Sequence, residues 1–135
     1  FGKILSSFMS EWIFSKQVKS AHGKAPLSDS EISRLWLLNS HNSGNKITHQ
    51  TINYLNDRRK YESVRWLPAL AKTRVPIHIC WGDKDHVARV EIAHHLKNNV
   101  CPDAKLTIME RVGHFCQMGS PQKWIKSVLP FYQNL

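Results

Sequence analysis

Apolar residues recur with two different periods along this chain, and the change falls near Pro76. Before that point the spacing is helical. Ile4, Leu5, Phe8, Met9, Trp12 and Ile13 fall at successive helical-face positions and predict one helix with a broad apolar face. H-G-K-A-P at 22–26 breaks it. Ser28-Asp29-Ser30-Glu31 reads as a capping box, with a hydroxyl for an early amide and a glutamate reaching back. Ile32, Leu35, Trp36 and Leu38 carry this second helix, and the turn-forming run N-S-H-N-S-G-N at 39–45 closes it. Ile47, Thr51, Tyr54 and Leu55 predict a third helix ending in Arg58-Arg59-Lys60, where positive charge suits the helix dipole. A fourth, short helix is predicted over 64–72, with Pro68 in its first turns where a missing amide costs least.

Beyond Pro76 the runs shorten and alternate in type. Positions 77–81 form a nearly continuous apolar run that predicts a strand buried on both faces. Positions 87–98 predict a helix, Pro102-Asp103 a turn, and 105–109 a second strand. Ser120 is placed to cap a last helix with Pro121 in its first turn. The stripe Trp124, Ile125, Val128, Leu129 and Tyr132 follows, and Pro130 predicts a kink. Strand, helix, strand, helix implies parallel strands with crossover helices, an α/β fold. Two parallel strands do not make a stable sheet alone, so further strands are expected N-terminal to Phe1. Two regions follow: a helical lid over 1–72 and an α/β core portion over 73–135.

Composition narrows this picture. A chain of 135 residues holds one modest core. It opens on Phe1 rather than methionine, which suggests a clipped or fragmentary chain. Glu11 and Lys16 interrupt the first apolar stretch, so these residues do not read as a signal peptide, and no apolar run reaches the length of a membrane span. Any membrane association is expected from sequence preceding Phe1, in a protein of the cytoplasm or the endoplasmic-reticulum membrane. Cys80, Cys101 and Cys116 show no paired spacing and read as free thiols, not a zinc site or disulfide framework. The net charge of +9 is scattered rather than striped, which argues against a nucleic-acid partner.

Candidate chemistry gathers at the strand ends, where open α/β sheets build their sites. V-P-I-H-I-C-W-G-D-K-D at 75–85 ends on Asp85, and E-R-V-G-H at 110–114 ends on His114. Alone, Asp85 suits a turn and His114 suits a loop. Together, acid before histidine and each just past its own strand, they read as a catalytic pair in which the carboxylate orients a general-base imidazole. Asp83 is expected to stabilise the turn. His94 and His95 point to different helix faces and read as solvated, so no metal site is expected, and no cofactor is implied. Trp36, Tyr54 and Trp66 are candidates for lining an apolar substrate pocket, although aromatic residues at helical spacing also serve as core. Cys116 reads as a packing residue.

These motifs resemble the α/β-hydrolase superfamily. The resemblance rests on 75–85, the helix after it, V-G-H at 112–114 and the terminal amphipathic helix. It implies the acid of a catalytic triad at Asp85 and its histidine at His114. The preceding helices resemble the lid of the epoxide hydrolase and haloalkane dehalogenase-like branch. R-R-K-Y-E-S-V-R-W-L-P-A-L at 58–70 is similar to the mesoderm-specific transcript group of that branch. Where relatives often carry proline after the acid, this chain has His86, Ala88 and Arg89. No nucleophile elbow of the form G-x-S-x-G or G-x-D-x-G, and no oxyanion segment, is read between Phe1 and Leu135. The resemblance therefore implies a hydrolase of small or lipid-like esters or epoxides only in a longer protein. The other reading is a non-catalytic interaction or regulatory protein of the same fold, built on the wide apolar face of the first helix.

Overall fold

Strand β1 (His78–Gly82) pairs in parallel with β2 (Lys105–Met109), from His78 opposite Lys105 to Gly82 opposite Met109. The computed structural model describes residues 8–22 and 27–133. Because the pairing is level, both chains leave the sheet at the same height, and their following loops meet.

Among the described residues, helical elements precede β1 and connect it to β2. Before β1 come α1 (Glu11–His22), α2 (Asp29–Ser40), a 3₁₀ turn (His41–Ile47), α3 (Thr48–Thr51), α4 (Tyr54–Tyr61) and α5 (Leu67–Lys72). A π turn, Glu62–Trp66, joins α4 to α5. The crossover is α6 (Glu91–His95), continued by a π turn, Leu96–Val100. After β2 come α7 (Cys116–Gly119) and α8 (Pro121–Tyr132).

The period-two alternation of the strands sorts their side chains into two layers. Ile77, Ile79 and Trp81, with Leu106 and Ile108, pack against Leu67, Ala93 and Leu96. Cys80 and Met109 turn the other way, towards Val112, Cys116 and Trp124. On that second face the His78 ring lies 5.1 Å from Phe131 of α8, and its Nε2 is 2.9 Å from Thr107 Oγ1. Helices cover both faces, as a parallel sheet requires.

A third cluster holds α1 and α2 together and ties them to α7. Val18, Leu27 and Ile32 are buried, flanked by Phe14, Leu35 and Met118 of α7. The expected capping box is present: Ser28 Oγ accepts from the Glu31 amide, and the Glu31 carboxylate accepts from the Ser28 amide at 2.8 Å.

Several expectations change. Ile4 and Leu5 lie outside the described residues. The rest of the first apolar face is not buried as predicted: Phe8 is 72% and Trp12 70% exposed. The inward stripe of α1 is instead half-buried Phe14 with buried Val18 and His22, four residues apart, because that side meets α2 and α7. The third and fourth helices run together through the π turn rather than stopping at Lys60. The helix after β1 starts at Glu91, not at 87, because Val87 and Ala88 give their amides to Asp85 instead of to a helix. Ser120 makes no side-chain cap; its own amide donates to the Cys116 carbonyl at 3.1 Å.

Candidate active site

The two loops leaving the strands are clamped together by backbone groups before any functional side chain is considered. The Asp83 amide donates to Met109 O at 3.0 Å, and the Lys84 amide to Val112 O at 2.9 Å. Asp83 Oδ1 accepts from the Val112 amide at 3.3 Å, the turn-stabilising part expected of it. Burial pushes the Asp83 carboxyl up, but Lys84 and the Val112 and Arg111 amides outweigh it and lower it below the usual range. Between Glu110 and Gly113 the chain turns tightly, with Arg111 in the left-handed region at φ 60°. Lys123 of α8 braces this turn by donating to Glu110 O at 2.9 Å.

Gly82 makes the approach possible. A Cβ there would run into the Val112 carbonyl, and the Gly113 carbonyl would lie 2.6 Å away. With no side chain at the last residue of β1, the histidine-bearing loop lies directly on the acid-bearing one.

Asp85 then sits with its side chain 4% exposed. Oδ1 accepts from the Val87 amide at 2.9 Å and the Ala88 amide at 2.7 Å. Trp81 Nε1 holds the far side of this turn by donating to Ala88 O at 2.9 Å. Oδ2 is left for one partner, His114 Nδ1, at 2.9 Å. Nε2 is therefore the imidazole's outward nitrogen, and the side chain is 31% exposed. A carboxylate fixed by two amides and bonded to a partly open imidazole selects the Nδ1–H tautomer and leaves Nε2 as a base. The pair the sequence assembled from separate motifs is brought together at hydrogen-bond distance.

Three contributors lie outside those motifs. Ala21 O accepts the His114 amide at 3.0 Å. A Cβ on Gly113 would lie 2.7 Å from both Ala21 O and His22 O, so backbone meets backbone here too. The His22 ring, 1% exposed, lies 5.2 Å from Phe115, which lies 4.9 Å from the His114 ring. The four-residue repeat Phe14, Val18, His22 was the sequence signal for that burial.

The aromatic candidates divide. Tyr54 lines a groove of ≈ 910 Å³ with Met9, Phe14 and Ile52. Trp36 stands behind it, 5.6 Å from the Phe14 ring. Trp66 lies in the π turn, 38% exposed. His94 and His95 are exposed on α6, and no cluster of three metal-binding side chains occurs among the described residues. Cys101 and Cys116 are buried and Cys80 half-buried. Burial, then Cys116 nearby, pushes the Cys80 thiol up to about 11, and burial raises Cys116, so both are poor nucleophiles.

A level parallel strand pair with a carboxylate–imidazole couple at its carboxyl ends is an arrangement found within the α/β-hydrolase fold. The chain belongs to the α/β-hydrolase superfamily and carries part of that fold. No family model matches it. It is similar to the mesoderm-specific transcript protein of Mus musculus, 25% identical over 97% of this chain and 39% of that protein. The putative hydrolase LipZ of Mycobacterium tuberculosis is 31% identical over 77% of this chain and 35% of its own length. The putative protein-lysine deacylase ABHD14B of Homo sapiens is 32% identical over 48% of this chain and 30% of its own. Among solved structures, the α/β-hydrolase enzyme MGS-MChE2, from a lagoon-sediment metagenome, superposes with a TM-score of 0.53. It is 22% identical, over 78% of this chain and 45% of that one. The chain thus spans less than half the length of each relative it matches.

Proposed function

We propose that this chain is the lid and the acid–base half of an α/β-hydrolase that cleaves a small or lipid-like ester or epoxide, with the nucleophile carried elsewhere in a longer polypeptide. The observation that carries the proposal is the 2.9 Å bond between His114 Nδ1 and Asp85 Oδ2, at the level ends of two parallel strands, with the ring still open on its Nε2 side. In that role Nε2 takes the proton of an attacking serine hydroxyl, or of a water where the nucleophile is an aspartate. Asp85 orients the ring and stabilises the imidazolium that forms. The groove at Met9, Phe14 and Tyr54 supports an apolar substrate; of the three aromatic candidates only Tyr54 lines it. The hydrolase and deacylase names of LipZ and ABHD14B support bond cleavage of this kind.

A histidine–carboxylate pair without its nucleophile and oxyanion hole has almost no catalytic power. The 135-residue chain alone is therefore expected to hydrolyse p-nitrophenyl esters and styrene oxide no faster than buffer. Turnover by the isolated chain that survives active-site titration would mean that its nucleophile lies among these residues after all.

A second reading, a non-catalytic interaction protein of the same fold, is favoured by exposed apolar side chains at Phe8, Trp12, Leu37 and Leu38. It predicts concentration-dependent association of the chain in sedimentation velocity. A monomer over the whole accessible range counts against it.

A further inference from the structure

His22 is a buried polar side chain near the candidate dyad that the proposed chemistry does not use. Its ring is 1% exposed, and neither Nδ1 nor Nε2 has a hydrogen-bond partner among the described residues. An imidazole so placed gains nothing that an apolar ring of the same size would not supply, and leaves two polar atoms unsatisfied. It sits at the last residue of α1, where the lid touches the histidine loop. There Ala21 O accepts the His114 amide at 3.0 Å, and the Ala21 and His22 carbonyls abut Gly113. Side chains repeat the contact: the His22 ring meets Phe115 at a tilt, 5.2 Å away, and Phe115 meets the His114 ring edge-on at 4.9 Å.

We infer that the Ala21–His22 turn is the positioning element of His114, and that the His22 ring is the wedge that seats this turn against the loop. His22 is a positioning residue and not a catalytic one, since Phe115 stands between it and the dyad. The lid thereby holds the base directly, and any displacement of α1 displaces the His114 backbone.

The choice of a histidine for the wedge makes the seat proton-sensitive. Burial lowers the His22 pKa from its ordinary 6.5, and so does the nearby His114 of the loop; Glu31 of α2 pulls the other way. The seated ring is thus neutral. As pH falls through and below 6.5, a released ring takes a proton while the seated ring resists it, so acid favours release. Release lengthens the Ala21 O–His114 amide bond and frees the loop.

Hydrogen exchange of the His114 amide, followed by NMR on the 135-residue chain, tests this without turnover, so its failure is separable from failure of the hydrolase reading. Between about pH 7.5 and 5, protection of this amide, corrected for intrinsic exchange, is expected to fall by about tenfold or more while that of β1 holds. In His22→Phe the wedge keeps its bulk and loses its titration, and protection is expected to stay flat. Parallel loss in wild type and His22→Phe overturns the inference, as does an amide unprotected at both pH values. If His22→Phe does not fold, the wild-type profile decides alone. Loss of His114 protection must then track the ring titration of His22, and tracking of β1 protection instead means global unfolding and overturns it.

Discussion

Asp85→Asn is expected to lower turnover by a factor on the order of 10⁴ in a longer polypeptide that carries the nucleophile, with the fold unchanged. The substitution is nearly isosteric, and the amide oxygen can still accept from Val87 and Ala88, so the turn after β1 survives. What changes is the atom facing His114. An amide NH₂ there donates to Nδ1 instead of accepting from it. The neutral ring then carries its proton on Nε2, where the base is needed. The check is kcat/KM on a p-nitrophenyl ester, alongside circular dichroism of both proteins. A drop of less than about tenfold would mean that the carboxylate does not set the tautomer.

Gly82→Val is expected to abolish the native fold of the β1–β2 unit, a loss of at least about 3 kcal/mol, because the collision is with backbone and not with a side chain that can turn away. The Val112 and Gly113 carbonyls occupy the space a Cβ would need. Moving them breaks the Lys84–Val112 bond and the Asp83–Val112 bond together. Urea unfolding followed by Trp fluorescence measures the loss. A midpoint within the wild-type range would show that the loop can retreat without cost and that close contact at Gly82 is not what aligns Asp85 with His114. The same argument predicts a milder result at Gly44, which lies in the 3₁₀ turn and whose close neighbour is the Asn39 carbonyl at the end of α2, so that neither strand-end loop is disturbed.

Local chemistry was legible in the sequence where one residue type does one local thing. The capping box at Ser28 and Glu31 needs only its own spacing, and it forms as read. The two strands announce themselves by short apolar runs, and Asp85 and His114 by their positions just past those runs. What the spacing of residues does not encode is which apolar face finds a partner. Phe8 and Trp12 satisfy the helical pattern as well as Phe14 and Val18 do, yet only the second pair meets α2 and α7. The late start of α6 was hidden for a similar reason. Val87 and Ala88 have no aversion to a helix, but the Asp85 carboxylate claims their amides first. The seating of His114 on Ala21 is a contact between backbone atoms, which leaves no residue signature except the absence of a side chain at Gly113.

The N-terminal helices and the α/β portion are joined by direct contacts. Met118 of α7 completes the cluster of Val18, Leu27 and Ile32, and the amide of the candidate base is bonded to Ala21 of α1.

The most direct measurement of whether this chain carries the acid–base half of a hydrolase is steady-state ester hydrolysis by a polypeptide that joins it to a nucleophile-bearing α/β core, wild type against His114→Ala. The expected result is a fall in kcat on the order of 10³ or more, to the residual rate that substrate binding alone supports. A His114→Ala protein that turns over within about tenfold of wild type would contradict the assignment of His114 as the base.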